Sequence, residues 1–555
     1  MQNSKKNKIK IYLPILFALV MALGVIVGIN LNFNTAPGNE NKFRSFGFGK
    51  YDKINDVINF VYESYVDSIN REEITEETIK SFLSNLDPHS VYIPAEDFKE
   101  LNDPLMGSFE GIGIEFNMVA DTVVVINPIP GGPSEKVGIQ AGDRIIKVND
   151  EMIAGVKMST EEIVKKLKGP KDTEVNVTIY RTGLDEEFEY TIVRDKIPSY
   201  SLDIAYMLDD NNAYIKINRF SATTHHEFIT AFDRLKRQGL ENLILDLRGN
   251  GGGFLEAAIA LADEFLPAGE MIVYTEGFRR PKKYAYARRT GKFEDKPLVI
   301  LIDEWSASAS EIIAGAIQDN DKGLVIGRRS FGKGLVQEQV QLADGSALRL
   351  TVARYYTPSG RSIQSPYDDG SDNYYDEFFE RFMHGEHESV DSIKLIDSLQ
   401  YKTRAGRTVY AGGGIMPDIF VPFNSEERTP FFNRIANMGL IYRFAFNYTD
   451  NNRSLINNNY NNAENYINNF SINNNIFYEF LSFVKTNDVE IDKHEAQKSS
   501  RLIKQQLKAY IGRNIFGREA FYPVINKNDP VIKEAIEALK DDNYLKLLSA
   551  EEQSL

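Results

Sequence analysis

Between Ile197 and about Phe423 short apolar runs alternate with stretches of helical spacing, and no other feature constrains the fold of this chain as tightly. Ala213 to Ile217, Leu243 to Leu247, Leu298 to Asp303 and Leu324 to Gly327 read as strands. His225 to Gln238 reads as a helix, as does the segment after Ser308, where Ile312, Ile313, Ala316 and Ile317 recur at helical spacing. Two further runs, Leu335 to Val340 and Ala347 to Tyr355, read as a strand pair. Strands that alternate with helices predict an α/β core. The full chain of 555 residues has room for two to four domains, and its 42% hydrophobic content is enough to bury several cores. With no cysteine, it holds by packing alone and has no thiol nucleophile or lipid attachment site.

The residues with chemistry cluster inside that core. Small residues surround Ser308 in Ser306-Ala307-Ser308-Ala309-Ser310-Glu311, at the start of a predicted helix. Lys333 follows 25 residues later between Gly332 and Gly334, and Gln337 lies four residues beyond it. Ser308 with Glu311 can also be read as a capping box with no chemistry, and Lys333 by itself as a solvated turn lysine. Their conjunction favours a site. A second element is the turn Arg248-Gly249-Asn250-Gly251-Gly252-Gly253, which joins the run Leu243 to Leu247 to a helix with Leu255, Ala258, Ile259 and Ala262. Such a turn presents backbone N–H groups to a phosphate or to a developing oxyanion. No Gly-Lys-Ser/Thr follows, and the glycines miss the dinucleotide register, so the phosphate reading is weak.

Together these residues resemble the carboxyl-terminal processing peptidases, tail-specific serine proteases that use a Ser-Lys dyad. The resemblance implies an α/β, crotonase-like protease core at residues 197–424. In that core Ser308 is the nucleophile, Lys333 the base and Gln337 its orienting partner. It also implies an oxyanion hole built from Ala309 and a glycine of the turn, Gly252 or Gly253, without deciding between the two. Tyr355 to Gln364 and Gly412 to Asp418 match the family's late core motifs, and about 365–403 between them is an insertion. His384 and His387 of that insertion are too few for a metal site and are expected on a surface helix. No metal and no cofactor are implied. The turn Leu86-Asp87-Pro88-His89-Ser90 also resembles the family, and His89 is expected there as a turn residue rather than a base. The rival readings are a non-catalytic PDZ scaffold that only binds tails and a nucleotide-binding α/β enzyme. The intact Ser308, Lys333 and Gln337 oppose the first, and the missing nucleotide fingerprint opposes the second.

Residues 105–196 resemble a PDZ domain, with Gly111, Ile112, Gly113 and Ile114 as the loop that would bind a peptide carboxylate. The loop N–H groups would receive the carboxylate while the peptide adds a strand to the sheet edge, so the expected partners are proteins with free C-terminal tails. Residues 51–104 are expected as a small helical region and 31–50 as a polar linker. Ile11 to Ile29 is an uncharged apolar run of 19 residues preceded by Lys5, Lys6, Lys8 and Lys10 within a basic tail, residues 1–10. The segment 11–30 is therefore expected as a membrane anchor in preference to a cleaved signal, with the catalytic part outside the cytoplasm, in a bacterial periplasm or cell envelope. The net charge of −15 argues against nucleic acid. The locally basic, aromatic stretch from Tyr274 to Lys292 is expected as a flap or hairpin. Residues 425–555 are expected as an Asn-rich linker, about Asn451 to Asn475, followed by helices that contribute to a homodimer, a role no particular residue supports.

Overall fold

The computed structural model describes residues 53–184, 186–367, 370–393 and 399–549. The expected basic tail, apolar span and linker lie outside the described residues. Among the described residues no helix is long and apolar enough to cross a membrane. Among the described residues, those up to Thr75, which include the helix Lys53–Ser64, belong to one unit, and those from Glu76 onward belong to a second.

The second unit is built on a six-stranded sheet in the order Leu202–Met207, Asn212–Ile217, Asn242–Asp246, Leu298–Ile302, Leu324–Gly327, Ile419–Phe420. The first pair is antiparallel and the rest are parallel. Alternate side chains point to opposite faces of each strand. Leu243, Leu245, Leu298 and Ile300 therefore meet Phe228, Leu261, Ile313 and Ile317 of three helices on one face, Thr224–Arg237, Leu255–Ala262 and the serine helix Ala309–Asp319. Ile244, Val299 and Leu301 pack the other face, against Val531, Ile532, Ala535 and Tyr544 near the end of the chain. The expected α/β core is thus present, and its second face is covered by Pro530–Ala538 and Asp541–Leu548. Those helices spend their apolar side on the sheet, and Ile503, Leu507 and Ile511 are buried in a separate C-terminal helical core. The helices expected to form a homodimer are occupied within the chain.

A five-stranded sheet lies beside this core. In it Ala347–Tyr356 pairs with Val91–Ile93, Met271–Gly277 and Leu335–Gln341. Met271–Gly277 also pairs with Arg280–Tyr286, so the basic aromatic stretch is a hairpin, as expected.

The PDZ-like region forms its own antiparallel sheet, with Ile114–Val119 at one edge, around a core that includes Val123, Ile145, Ile163 and Val177. Its entry and exit pair with each other, Ser108–Gly111 against Asp195–Pro198.

The expected Asn-rich linker is corrected. Its residues fall in the helices Leu440–Asn459 and Ala463–Asn469 and at the start of Asn474–Thr486. Asparagine favours caps, and here Asn462 and Asn473 accept the N–H groups of Asn465 and Ile476. Ile456, Tyr466, Phe470 and Ile476 are buried between them, so tertiary packing overrides the composition.

Candidate active site

Ser308 ends the loop after Leu298–Ile302 and immediately precedes the serine helix, with φ 56° and ψ −111°. A non-glycine residue in that region stores on the order of 1–3 kcal/mol of strain, which the surrounding contacts must hold. Those contacts converge on Glu311, which is fully buried. Its Oε2 accepts the N–H of Ser308 at 2.7 Å and the N–H of Lys333 at 3.0 Å. Its Oε1 accepts the Ser330 hydroxyl at 2.6 Å and the Gly332 N–H at 2.7 Å. Burial pushes the Glu311 carboxyl above its ordinary pKa, and these four donors pull it back. The glutamate that the sequence offers as a capping residue therefore ties the serine to the lysine. The Tyr355 hydroxyl spans the same pair, 2.9 Å from the Lys333 carbonyl oxygen and 3.2 Å from that of Ser308.

The Lys333 amine is partly buried and donates to Gln337 Oε1 at 3.0 Å. Burial, followed by the Arg349 guanidinium, holds its pKa below the ordinary lysine value, and Asp87 and Glu311 oppose the shift. Gln337 Nε2 donates in turn to the backbone carbonyl of His89. That turn is fixed by Asp87, whose Oδ1 accepts the N–H groups of His89 and Ser90 and the hydroxyl of Thr351. Burial lowers the His89 imidazole to about 4, so it is neutral near pH 7. Among the described residues no hydrogen bond joins the Ser308 hydroxyl to the Lys333 amine.

The glycine turn abuts the serine. A Cβ on Gly252, at φ 103°, would lie 2.9 Å from both the Ala307 carbonyl oxygen and Ser308 Cβ. The Gly252 N–H already donates to Asn250 Oδ1 at 2.9 Å. The N–H groups of Gly253 and Ala309 have no protein acceptor among the described residues. Asn250 fastens the turn to the serine loop, since its carbonyl accepts the Ala307 N–H at 3.0 Å and the Ser310 hydroxyl at 2.9 Å.

The late motifs hold the far end of the same helix. Arg361 and Asp319 form a fully buried ion pair at 2.8 Å, and Ser359 also donates to Asp319. Gln364 Oε1 accepts the Gly334 N–H at 2.7 Å. In the PDZ loop Gly113 has φ 76°. The carbonyls of Ile112 and Gly113 accept Ser134 and Ile129 N–H groups, whereas their own N–H groups have no protein acceptor among the described residues. Gly111 and Ile114 flank them at the ends of two strands.

A serine on a strained turn at a helix N-terminus, with a partly buried lysine tied to it through Glu311, has the groups that a serine-type peptidase needs. Residues 211–368 match the family described as Peptidase family S41 and residues 124–181 match the PDZ domain family, while 431–517 match a family of unknown function. A carboxy-terminal-processing protease of Bartonella bacilliformis is 38% identical over 56% of this chain and 72% of its own length. The carboxy-terminal processing protease CtpA of Bacillus subtilis is 34% identical over 64% of this chain and 75% of its own. A solved photosystem II D1 C-terminal processing protease is 30% identical over 57% of this chain and 84% of that chain, with a TM-score of 0.34. The chain belongs to the S41 family of carboxy-terminal processing serine proteases.

Proposed function

We propose that the enzyme cleaves proteins whose free C-terminal tails dock on its PDZ domain, with a Ser308-Lys333 dyad as the catalytic machinery. The observation that carries this reading is the single Glu311 oxygen that accepts both the Ser308 and the Lys333 N–H, at 2.7 and 3.0 Å. Ser308 attacks the scissile carbonyl carbon, and the neutral Lys333 amine takes the hydroxyl proton as the new C–O bond forms. The resulting ammonium then returns a proton to the leaving amine, and water attacks the acyl-enzyme in the second half of the cycle. Gln337 orients the lysine without adding a negative charge, which would raise its pKa and keep it protonated. With Gly252 committed to Asn250, the oxyanion donors are Gly253 and Ala309, and Gly252 supplies the space for the turn to approach.

In the PDZ loop the free N–H groups of Ile112 and Gly113 are the carboxylate donors, with Gly111 and Ile114 shaping the loop around them. The uncharged segment 11–29 and its preceding lysines support an anchored enzyme whose catalytic part faces the periplasm or cell envelope.

Three measurements test the proposal. Ser308→Ala should remove turnover of a peptide with a free C-terminal tail while leaving its binding unchanged, and amidating that tail should lower kcat/KM in the wild type. An active Ser308→Ala enzyme would refute the nucleophile, and equal rates on acid and amide would refute tail docking. Recovery of the enzyme in the soluble fraction, starting near Asn34, would refute the anchor.

A further inference from the structure

The insertion carries the expected surface helix, and the inner face of that helix lies against the loop that bears Lys333. Its helix Ser371–Met383 falls outside the S41 match, which ends at residue 368. One face packs inward, with Tyr374 and Phe378 buried, while Phe379 and Met383 stay exposed. Phe378 and Tyr374 meet Phe331, two residues before Lys333, at ring-centroid distances of 4.9 and 6.1 Å.

Polar contacts from two residues of this helix bear on Lys333 indirectly, one through the loop backbone and one through His89. Arg381 donates to the carbonyls of Ser330 at 3.1 Å and Phe331 at 3.3 Å, and Glu386 fixes its guanidinium through a 3.0 Å bond. The N–H groups of this loop are held by the core: Phe331 bonds to the Ser306 carbonyl, and Gly332 and Lys333 bond to Glu311. Arg381 is the group from the insertion helix that holds the loop's carbonyls, alongside Ser365 at the start of the insertion, whose N–H donates to the Gly332 carbonyl at 2.9 Å. On the other side the Tyr374 hydroxyl lies 3.3 Å from His89 Nε2, with the two rings edge to face at 5.2 Å. The His89 carbonyl holds Gln337, and Gln337 holds the Lys333 amine. The contacts run from Tyr374 through His89 and Gln337 to the base.

We propose that Arg381 and Tyr374 of the insertion helix are positioning residues for Lys333, so that the insertion sets the orientation and desolvation of the catalytic amine. This rests on the reading of Lys333 as the base. Neither residue reaches the amine directly, and each acts through backbone or through another side chain. The charged and titratable groups that face Lys333 are Arg349 from the neighbouring strand, Asp87 and His89 from the turn, and Glu311 from the serine helix. All of them remain when Arg381 or Tyr374 is replaced, so a change in the titration of the base would report its position and solvation.

The test compares Arg381→Ala, Arg381→Lys and Tyr374→Phe with Phe379→Ala, which removes a largely exposed ring from the same helix while leaving Phe378 against Phe331. Arg381→Ala should lower kcat by about tenfold through misplacement of the base. KM for a free-acid tail peptide should change by less than about twofold, because among the described residues no hydrogen bond, ion pair or ring contact joins this helix to the PDZ loop. The acidic limb of kcat/KM should move to higher pH by about half a unit or more, as a loosened amine regains water and its pKa rises. Arg381→Lys should recover part of the loss, Tyr374→Phe should shift the limb in the same direction by less, and Phe379→Ala should match wild type. An unmoved limb in both Arg381→Ala and Tyr374→Phe would overturn the proposal, whether kcat is kept or falls together with Tm. Lys333→Arg assayed alongside separates the two readings. If it is active the base assignment falls, and if it is dead while both limbs are unmoved only the positioning role falls.

Discussion

Lys333 and Gln337 share one hydrogen bond, amine to side-chain carbonyl at 3.0 Å, and Gln337 is anchored in turn by the backbone of His89. The glutamine thus presents a neutral acceptor to the amine from a fixed point. An amine held this way sheds its proton more readily than one paired with a carboxylate.

Lys333→Arg should abolish turnover while leaving thermal stability and tail binding near wild type, because arginine keeps the charge but does not deprotonate. In the wild type kcat/KM should rise with pH through a limb that lies below the ordinary lysine range, since burial lowers this amine and only its neutral form accepts the serine proton. Gln337→Glu should move that limb upward. Kinetics across pH on one peptide check all three.

Glu311→Gln should cost about 2–4 kcal/mol, because a buried amide would face several of the four donors with its own N–H groups. Activity should fall with it, as the Ser308 and Lys333 backbones lose their common acceptor. Denaturant unfolding with a parallel rate measurement gives both numbers, and a stable, active variant would contradict the role assigned to this carboxylate.

Gly252→Ala should impair kcat by about 100-fold with little change in tail affinity, because the added methyl displaces the turn from Ser308. Titration of a tail peptide against turnover separates the two effects.

His89→Gln should retain turnover within roughly tenfold, because the carbonyl that holds Gln337 belongs to the backbone. It should also flatten the acid dependence of stability. The folded protein keeps His89 neutral down to a pH of about 4, whereas the unfolded chain takes up a proton near its ordinary 6.5. Stability is therefore lost as pH falls across that window, by up to about 3 kcal/mol from this group. Denaturation of wild type and variant at both ends of the window measures the difference.

The PDZ domain is tied to the C-terminal helices by Arg144 and Asp450, which pair at 2.7 Å with Asp450 almost entirely buried. Arg513 reaches Glu115 on the edge strand in the same region. A double-mutant cycle on Arg144 and Asp450 should give a coupling of about 1–3 kcal/mol. Zero coupling would mean that the pair does not help hold the PDZ domain.

The α/β core and the PDZ module were legible in the chain, because strand and helix periodicities and short glycine-rich motifs are local properties. The sequence presented Glu311 as a possible capping residue. Only the fold shows its carboxylate receiving donors from residues 19 to 22 positions away, because convergence of that kind depends on how the loop after the serine helix folds back. That the Gly252 N–H is taken by the Asn250 side chain, while that of Gly253 has no protein acceptor among the described residues, also appears only in the fold. The Asn-rich stretch is helical because buried aromatic and aliphatic neighbours outweigh a local preference. The chain encoded the motifs, and tertiary packing decided which N–H groups are left without a protein acceptor among the described residues, which carboxylate joins Ser308 to Lys333, and that an inserted helix lies against the Lys333 loop. The physical reason is that hydrogen bonds and burial between distant segments are set by the packed whole and leave no periodicity in the sequence.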